Sequence, residues 1–174
     1  MMKRKGLLIN VTGNGKGKST SGFGMVIRAL GWGHKVALIQ FVKNDRETGE
    51  KKFFESLQNE RLDYFIRGSG FSCTQGPHKE SAQEAWAIAE EYLCGKRHAD
   101  LLVMDEINIA MRQNWLDPEM VAAALKNRPE ELTVVLTGRN SPDIIKNCCD
   151  TVSDIQEVKH VYKEGVKAQE GIDF

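Results

Sequence analysis

Apolar residues fall in short continuous blocks, and the stretches between them repeat apolar residues at helical spacing. Leu7-Leu8-Ile9-Asn10-Val11 is the first block and ends in glycines. Phe23, Val26, Ile27 and Leu30 then mark one face of a helix, and Gly31 sits where it would stop. Val36 to Val42 is the next buried run. The charged segment Lys43 to Lys52 reads as a solvated loop, and Phe53, Phe54 and Leu57 as a short helix. Leu62 to Ile66 predicts a third strand. Gly68 to Lys79, with Gly68, Gly70, Gly76 and Pro77, predicts a loop.

Ser81 with Glu84 three residues on resembles a capping box, opening a helix that carries Ala85, Ile88, Ala89, Tyr92 and Leu93. Leu101-Leu102-Val103-Met104 predicts a fourth strand, ending at Asp105-Glu106. Asp117-Pro118 is a helix start with Pro at the first helical position. Leu132 to Leu136 predicts a fifth strand, Ser141-Pro142 a further helix start, and Thr151 to Ile155 a sixth strand. Val158 to Phe174 reads as irregular or weakly stranded. Apolar runs alternating with helices imply an α/β fold: a mainly parallel sheet of about six strands, buried on both faces by helices.

The chain has 174 residues, which predicts one domain spanning 1–174. Such a chain buries roughly 70% of its unfolded surface and folds without disulfides or a structural metal. Lys plus Arg and Asp plus Glu are each 24, so the net charge is zero, which argues against a dedicated nucleic-acid binder. With 41% hydrophobic and 28% charged residues the chain is not an intrinsically disordered one. No apolar run reaches the ~18 residues that cross a bilayer. Gly6 to Val11 is too short for a signal-peptide core, so a cytoplasmic location is expected. Cys73, Cys94, Cys148 and Cys149 show no CxxC or metal spacing and read as free thiols of a reducing compartment.

The strongest chemical signal is Thr12-Gly13-Asn14-Gly15-Lys16-Gly17-Lys18-Ser19-Thr20, between a predicted strand and a predicted helix. Glycines let backbone N–H groups converge on a phosphate, and the helix N-terminus adds its positive end. Lys18 is placed to reach phosphate oxygens, Ser19 to ligate Mg²⁺, and Lys16 adds positive charge. The general pattern has glycine five residues before Gly17, where this chain has Thr12. Asp105 or Glu106, at the end of another strand, supplies the acid for Mg²⁺. No Asn-Lys-x-Asp run of the guanine-specific kind occurs, so the nucleotide expected is ATP. Arg139 follows a strand end and could meet phosphate or a surface acid. Trp32, Trp86 and Trp115 read as packing residues, and His34, His78 and His98 give no metal spacing.

The loop from Gly13 to Thr20 resembles that of the cob(I)alamin adenosyltransferases of the cobinamide-processing type. Gln40-Phe41-Val42-Lys43 and Gly49-Glu50 resemble their second-strand segment, and Val103-Met104-Asp105-Glu106-Ile107 their acidic strand end. Thr137-Gly138-Arg139, Lys159-His160, Gly165 to Gln169 and Gly171-Ile172 resemble their C-terminal third. The resemblance runs from about Gly6 to Phe174.

The resemblance implies a RecA-like P-loop fold, usually a homodimer, that moves the 5′-deoxyadenosyl group of ATP to a reduced corrinoid and releases triphosphate. It implies that Asn14 contacts ribose, that Lys18 and Thr20 bind phosphate, and that Ser19 and Glu106 hold Mg²⁺. Glu106 is thereby favoured over Asp105. Lys18 and Glu106 would carry the catalytic burden, with Gly13, Gly15, Lys16, Gly17, Arg139 and Gln169 around the nucleotide. His160 in its matched motif reads more readily as structural. Gly70-Phe71-Ser72-Cys73 aligns with the family's corrinoid wall, with Phe71 kept and Cys73 standing where tryptophan is usual. A flavodoxin-like reductant is implied as partner. Only twelve residues precede Gly13, which implies a more open site or another way of closing it. The rival readings are a P-loop kinase or ATPase, and a nucleotide-dependent corrinoid carrier without turnover.

Overall fold

A computed structural model describes residues 5–42, 47–67 and 78–174. Its elements are β1 (Leu8–Thr12), α1 (Lys18–Gly31), β2 (Val36–Gln40), α2 (Gly49–Ser56), β3 (Leu62–Ile66) and α3 (His78–Leu93). There follow β4 (Leu101–Asp105), α4 (Ile107–Arg112), α5 (Pro118–Lys126), β5 (Thr133–Thr137), α6 (Asp143–Cys148) and β6 (Thr151–Asp154). The strands form one sheet in the order β3-β2-β4-β5-β1-β6, and every pairing is parallel. The expected α/β architecture, with helices on both faces, is the one present.

The central strands divide their side chains by parity, as a pleated strand must. Val36, Leu38, Leu101, Val103 and Val135 face one layer with Phe23 and Val26 of α1 and Phe54 of α2. Ala37, Ile39, Leu102, Met104, Val134 and Leu136 face the other, with Ala82, Ala85 and Ala89 of α3, Val121 and Leu125 of α5, and Ile145 of α6. Both faces are therefore covered, which explains the continuous apolar runs. The edges differ. Every residue of β6 is exposed and β3 is only half-buried; each has one sheet neighbour among the described residues.

Several boundaries depart from the sequence reading. Lys79 to Ser81 already lie inside α3, so the Ser81–Glu84 pair is interior to that helix and caps nothing. α2 begins within the supposed charged loop, where Thr48 Oγ1 accepts the Lys51 N–H at 3.3 Å. α4 had no sequence expectation. Asp117 caps α5 as read, accepting the Glu119 N–H at 3.0 Å. Trp86 is buried and Trp115 stacks on His78 with ring centroids 5.1 Å apart. Trp32, however, is 80% exposed at the end of α1 and packs no core. Beyond β6 the chain is irregular apart from a 3-10 turn over Val161–Glu164. Among the described residues no helix is long and apolar enough to cross a membrane.

Candidate functional site

The strand order decides where the chemistry gathers. β4, β5 and β1 are neighbours, so their C-terminal ends bring 105–106, 137–139 and 12–20 to one edge of the sheet. That edge is where open parallel sheets bind ligands. A cleft of about 320 Å³ opens there, lined by the loop from Gly15 to Thr20, Glu50, Glu106, Gly138, Arg139 and His160, with Ile109, Ile172 and Asp173.

The loop shape depends on its glycines. Gly13 has φ +99°, and a Cβ there would lie 2.2 Å from Asp154 Oδ1 and 2.4 Å from the Ile155 carbonyl oxygen. A Cβ on Gly15 would lie 2.6 Å from the Gln156 carbonyl oxygen, and the Gly15 N–H donates to the Ile155 carbonyl at 2.7 Å. The loop thus rests directly on backbone 154–156. Thr12, where the general pattern has glycine, is buried at the end of β1, and its Oγ1 accepts the Ser141 N–H at 3.2 Å. A hydroxyl has structural work there, and the turn itself begins one residue later.

α1 starts at Lys18 with no side-chain cap and no acid in its first turn. Its leading N–H groups and dipole are directed at the cleft. Lys18 Nζ donates to the Gly15 carbonyl oxygen at 2.5 Å. Burial holds the Lys18 ammonium below its ordinary pKa, and Arg139 pushes the same way, against the pull of Glu106 and Glu157. Such an ammonium gains from an arriving polyanion. Lys16 Nζ lies 2.5 Å from Asp173 Oδ1, so the end of the chain closes onto the loop.

The two strand-end acids have different environments. Asp105 is buried, and its oxygens accept from Gln40 Nε2 at 3.1 Å and Thr137 Oγ1 at 2.7 Å. It does not line the cleft. Glu106 does, and sits at the start of α4 with φ +65° and ψ +16°. A non-glycine residue in this region carries strain on the order of 1–3 kcal/mol and is held there by its surroundings. Its N–H donates to Thr137 Oγ1 at 3.0 Å, and Gly138 lies so near that a Cβ would sit 3.4 Å from Glu106 Cα.

Of the residues singled out from sequence, Gly15, Lys16, Gly17, Lys18, Ser19, Thr20, Glu106 and Arg139 are brought to the cleft. Asn14 and Gln169 are exposed and, with Gly13, stand outside its lining; the Gln169 N–H donates to Asp173 Oδ2 at 3.0 Å. Phe71 and Cys73 lie outside the described residues. His160 lines the cleft although its sequence reading was structural, and its Nδ1 accepts the Tyr162 N–H at 3.2 Å.

Sequence reasoning missed Asp173 and Asn108. Asn108 is buried, and its Nδ2 donates to Asn10 Oδ1 and the Gly138 carbonyl, each at 3.0 Å. Asn10 Nδ2 in turn donates to Ser141 Oγ at 2.7 Å. This network fastens α4 to the ends of β1 and β5. Asparagine inside an otherwise apolar stretch, Ile107 to Met111, was the available signal.

Residues 4–174 match the family described as ATP:corrinoid adenosyltransferase BtuR/CobO/CobP. A corrinoid adenosyltransferase of Pseudomonas aeruginosa is 41% identical over 173 residues, covering 98% of this chain and 84% of that protein. A namesake from Sinorhizobium sp is 38% identical over 98% of this chain and 81% of its own length. One from Escherichia coli K12 is 37% identical over 98% and 86%. The phosphate-type loop, the strand-end acids and a match over almost the whole length agree, and the chain belongs to the ATP:corrinoid adenosyltransferase family.

Proposed function

We propose that this protein transfers the 5′-deoxyadenosyl group of ATP to the Co(I) centre of a reduced corrinoid and releases triphosphate. The observation that carries the reading is the uncapped start of α1, with Lys16, Lys18 and Arg139 converging on one cleft, in a chain matched to this family over residues 4–174.

The chemistry asks little covalent work of the protein. Co(I) supplies an electron pair to the ribose 5′ carbon, the bond from that carbon to oxygen breaks, and triphosphate leaves with its electrons. The nucleophile needs no general base. The protein must hold the reactants in line and stabilise charge on the leaving group. The α1 amides and Lys18 meet that charge, with Lys16 and Arg139 at the rim. Lys18 gains most, because an anion beside it offsets both its desolvation and the Arg139 repulsion. Thr20 adds a hydroxyl, and Asn14 is assigned to ribose on the strength of the family resemblance.

The donors present fit Mg²⁺: a hydroxyl at Ser19 and a carboxylate at Glu106 line the same cleft, and both are hard oxygen ligands. Asp105, with both oxygens hydrogen-bonded, is assigned to the supporting layer. Mg²⁺ would neutralise phosphate charge and orient the leaving group. Phe71 and Cys73 are assigned to the corrinoid face. We further assign a homodimer, a cytoplasmic location and a flavodoxin-like electron donor, on the family resemblance.

The decisive assay uses chemically reduced cob(I)alamin with Mg-ATP, in the dark and without oxygen. Adenosylcobalamin with equimolar triphosphate is expected. ADP without a new cobalt–carbon bond would overturn the reading in favour of a kinase or ATPase. Binding of both ligands without either product would overturn it in favour of a carrier.

A further inference from the structure

We propose that Thr137 is a positioning residue for Glu106, and that a hydrogen-bond chain from Tyr64 through Gln40 and Asp105 holds Thr137 in that role. This rests on the reading of Glu106 as a ligand of Mg²⁺.

Four hydrogen bonds run without a break from the middle of β3 across the C-terminal ends of β2, β4 and β5. Tyr64 OH donates to Gln40 Oε1 at 2.8 Å, and Gln40 Nε2 donates to Asp105 Oδ2 at 3.1 Å. Thr137 Oγ1 donates to Asp105 Oδ1 at 2.7 Å and accepts the Glu106 N–H at 3.0 Å. One anion sets every orientation in the chain. A carboxylate only accepts, so Gln40 must present its NH₂ to Asp105, and its oxygen is left for the Tyr64 hydroxyl. Thr137 has one hydroxyl proton and gives it to Asp105, so the oxygen lone pairs face Glu106. Gln40, Asp105 and Thr137 are all buried, and bulk water does not compete for the two bonds that Asp105 accepts.

The end of the chain falls where restraint is needed. Glu106 occupies the left-handed region at φ +65° and lines the cleft. A ligand on a strained residue keeps its aim only while its backbone is fixed from outside. Thr137 does this through the amide, while Tyr64, on the edge strand, ties that fixing to the far side of the sheet. Asp105 thereby serves the metal acid by polarity and position, without touching the ligand.

The test compares Thr137→Val, Thr137→Ser, Tyr64→Phe and Glu106→Gln in the full chain. It reads amide hydrogen exchange at residue 106 without ligand, and the Mg²⁺ dependence of ATP binding by calorimetry. Thr137→Val should speed exchange and weaken the Mg²⁺-dependent part of ATP binding, each by about tenfold, the loss of a hydrogen bond at a restrained site. Thr137→Ser should resemble the parent, and Tyr64→Phe should shift both readings the same way by about two- to fivefold. Wild-type values in Thr137→Val, or a Thr137→Ser as impaired as the valine variant, would overturn the inference. If the valine variant does not fold, unchanged readings in Tyr64→Phe would overturn it. Glu106→Gln separates the layers. An unchanged Mg²⁺ dependence there removes the metal reading and this inference with it. A shift there without one in Thr137→Val removes this inference alone.

Discussion

Lys16 Nζ and Asp173 Oδ1 stand 2.5 Å apart, although 157 positions separate the two residues in the chain. The partner lowers the Asp173 pKa, chiefly through this bond and then through the Gln169 backbone. On the proposed reading of the cleft, a triphosphate and the Asp173 carboxylate would compete for one ammonium. The pair is half exposed at Lys16, so its opening is easy. Asp173→Asn should tighten ATP binding about two- to fivefold at low salt, and the gain should shrink as salt screens the parent pair. Calorimetric titration at two ionic strengths checks it; equal affinity in both proteins would show that the contact does not compete.

Lys18→Ala should reduce turnover by at least about a hundredfold while the fold persists, since a donor aimed at developing charge is lost. Full activity in that variant would remove the phosphate-loop assignment. A stability measurement adds a sign. The folded state holds the Lys18 pKa below 10.5, so at intermediate pH the unfolded chain binds more protons than the native one. Stability then rises with pH from the depressed value toward 10.5, where the penalty vanishes. Denaturant titrations of the ligand-free proteins should show the parent gaining on Lys18→Met along that interval. A parallel pH dependence would show that Lys18 is not destabilised in the native loop.

Gly13→Ala should disable nucleotide binding. The added methyl would meet Asp154 and Ile155 inside 2.5 Å in a conformation, φ +99°, that favours glycine. The variant should bind ATP at least about tenfold more weakly and lose on the order of 1–3 kcal/mol of stability. Calorimetry and thermal melts report both; a variant that binds normally would mean the loop does not depend on its seat.

Asn108→Asp changes little in shape but sets a carboxylate oxygen against Asn10 Oδ1 and the Gly138 carbonyl, both acceptors at 3.0 Å. The site is buried, so a cost of about 3 kcal/mol or more is expected at neutral pH, easing as acid protonates the new group. Melting curves across pH 4 to 8 would display that slope, and a pH-independent variant would exclude the repulsion as its cause.

Cys73→Trp should preserve or raise activity with cob(II)alamin and a protein reductant, if residue 73 belongs to the corrinoid wall. A large loss in that assay would show that Cys73 has another role.

Most of the fold was legible because the buried strands carry Val, Ile and Leu on both faces, and the central blocks need no tertiary information to be recognised. The edge strands were read too, Leu62 to Ile66 with its observed bounds and Thr151 to Ile155 to within one residue, on a weaker signal in the second case. β6 reads Thr-Val-Ser-Asp and is held by backbone pairing with β1, which leaves little apolar record. α4 is six residues long and begins on a left-handed Glu106, so neither periodicity nor a capping residue announces it. At the site, Lys18, Ser19 and Glu106 are local motif residues and were visible as such. Asp173 and His160 reach the cleft by the path of an irregular tail, which no spacing rule encodes. Thr12 shows why a motif mismatch misleads: its hydroxyl serves Ser141, and the loop begins at Gly13.

The seat beneath Gly13 and Gly15 is made of residues 154–156, far from the loop in sequence. On the ribosome the glycine-rich loop emerges well before its seat, and it has nothing of residues 154–156 to rest on until they follow about 140 positions later. Its closing contacts span long loops and form late. The shape of the loop therefore waits on residues 154–156: a product cut short before residue 154 would carry the whole loop sequence and lack the surface that shapes it.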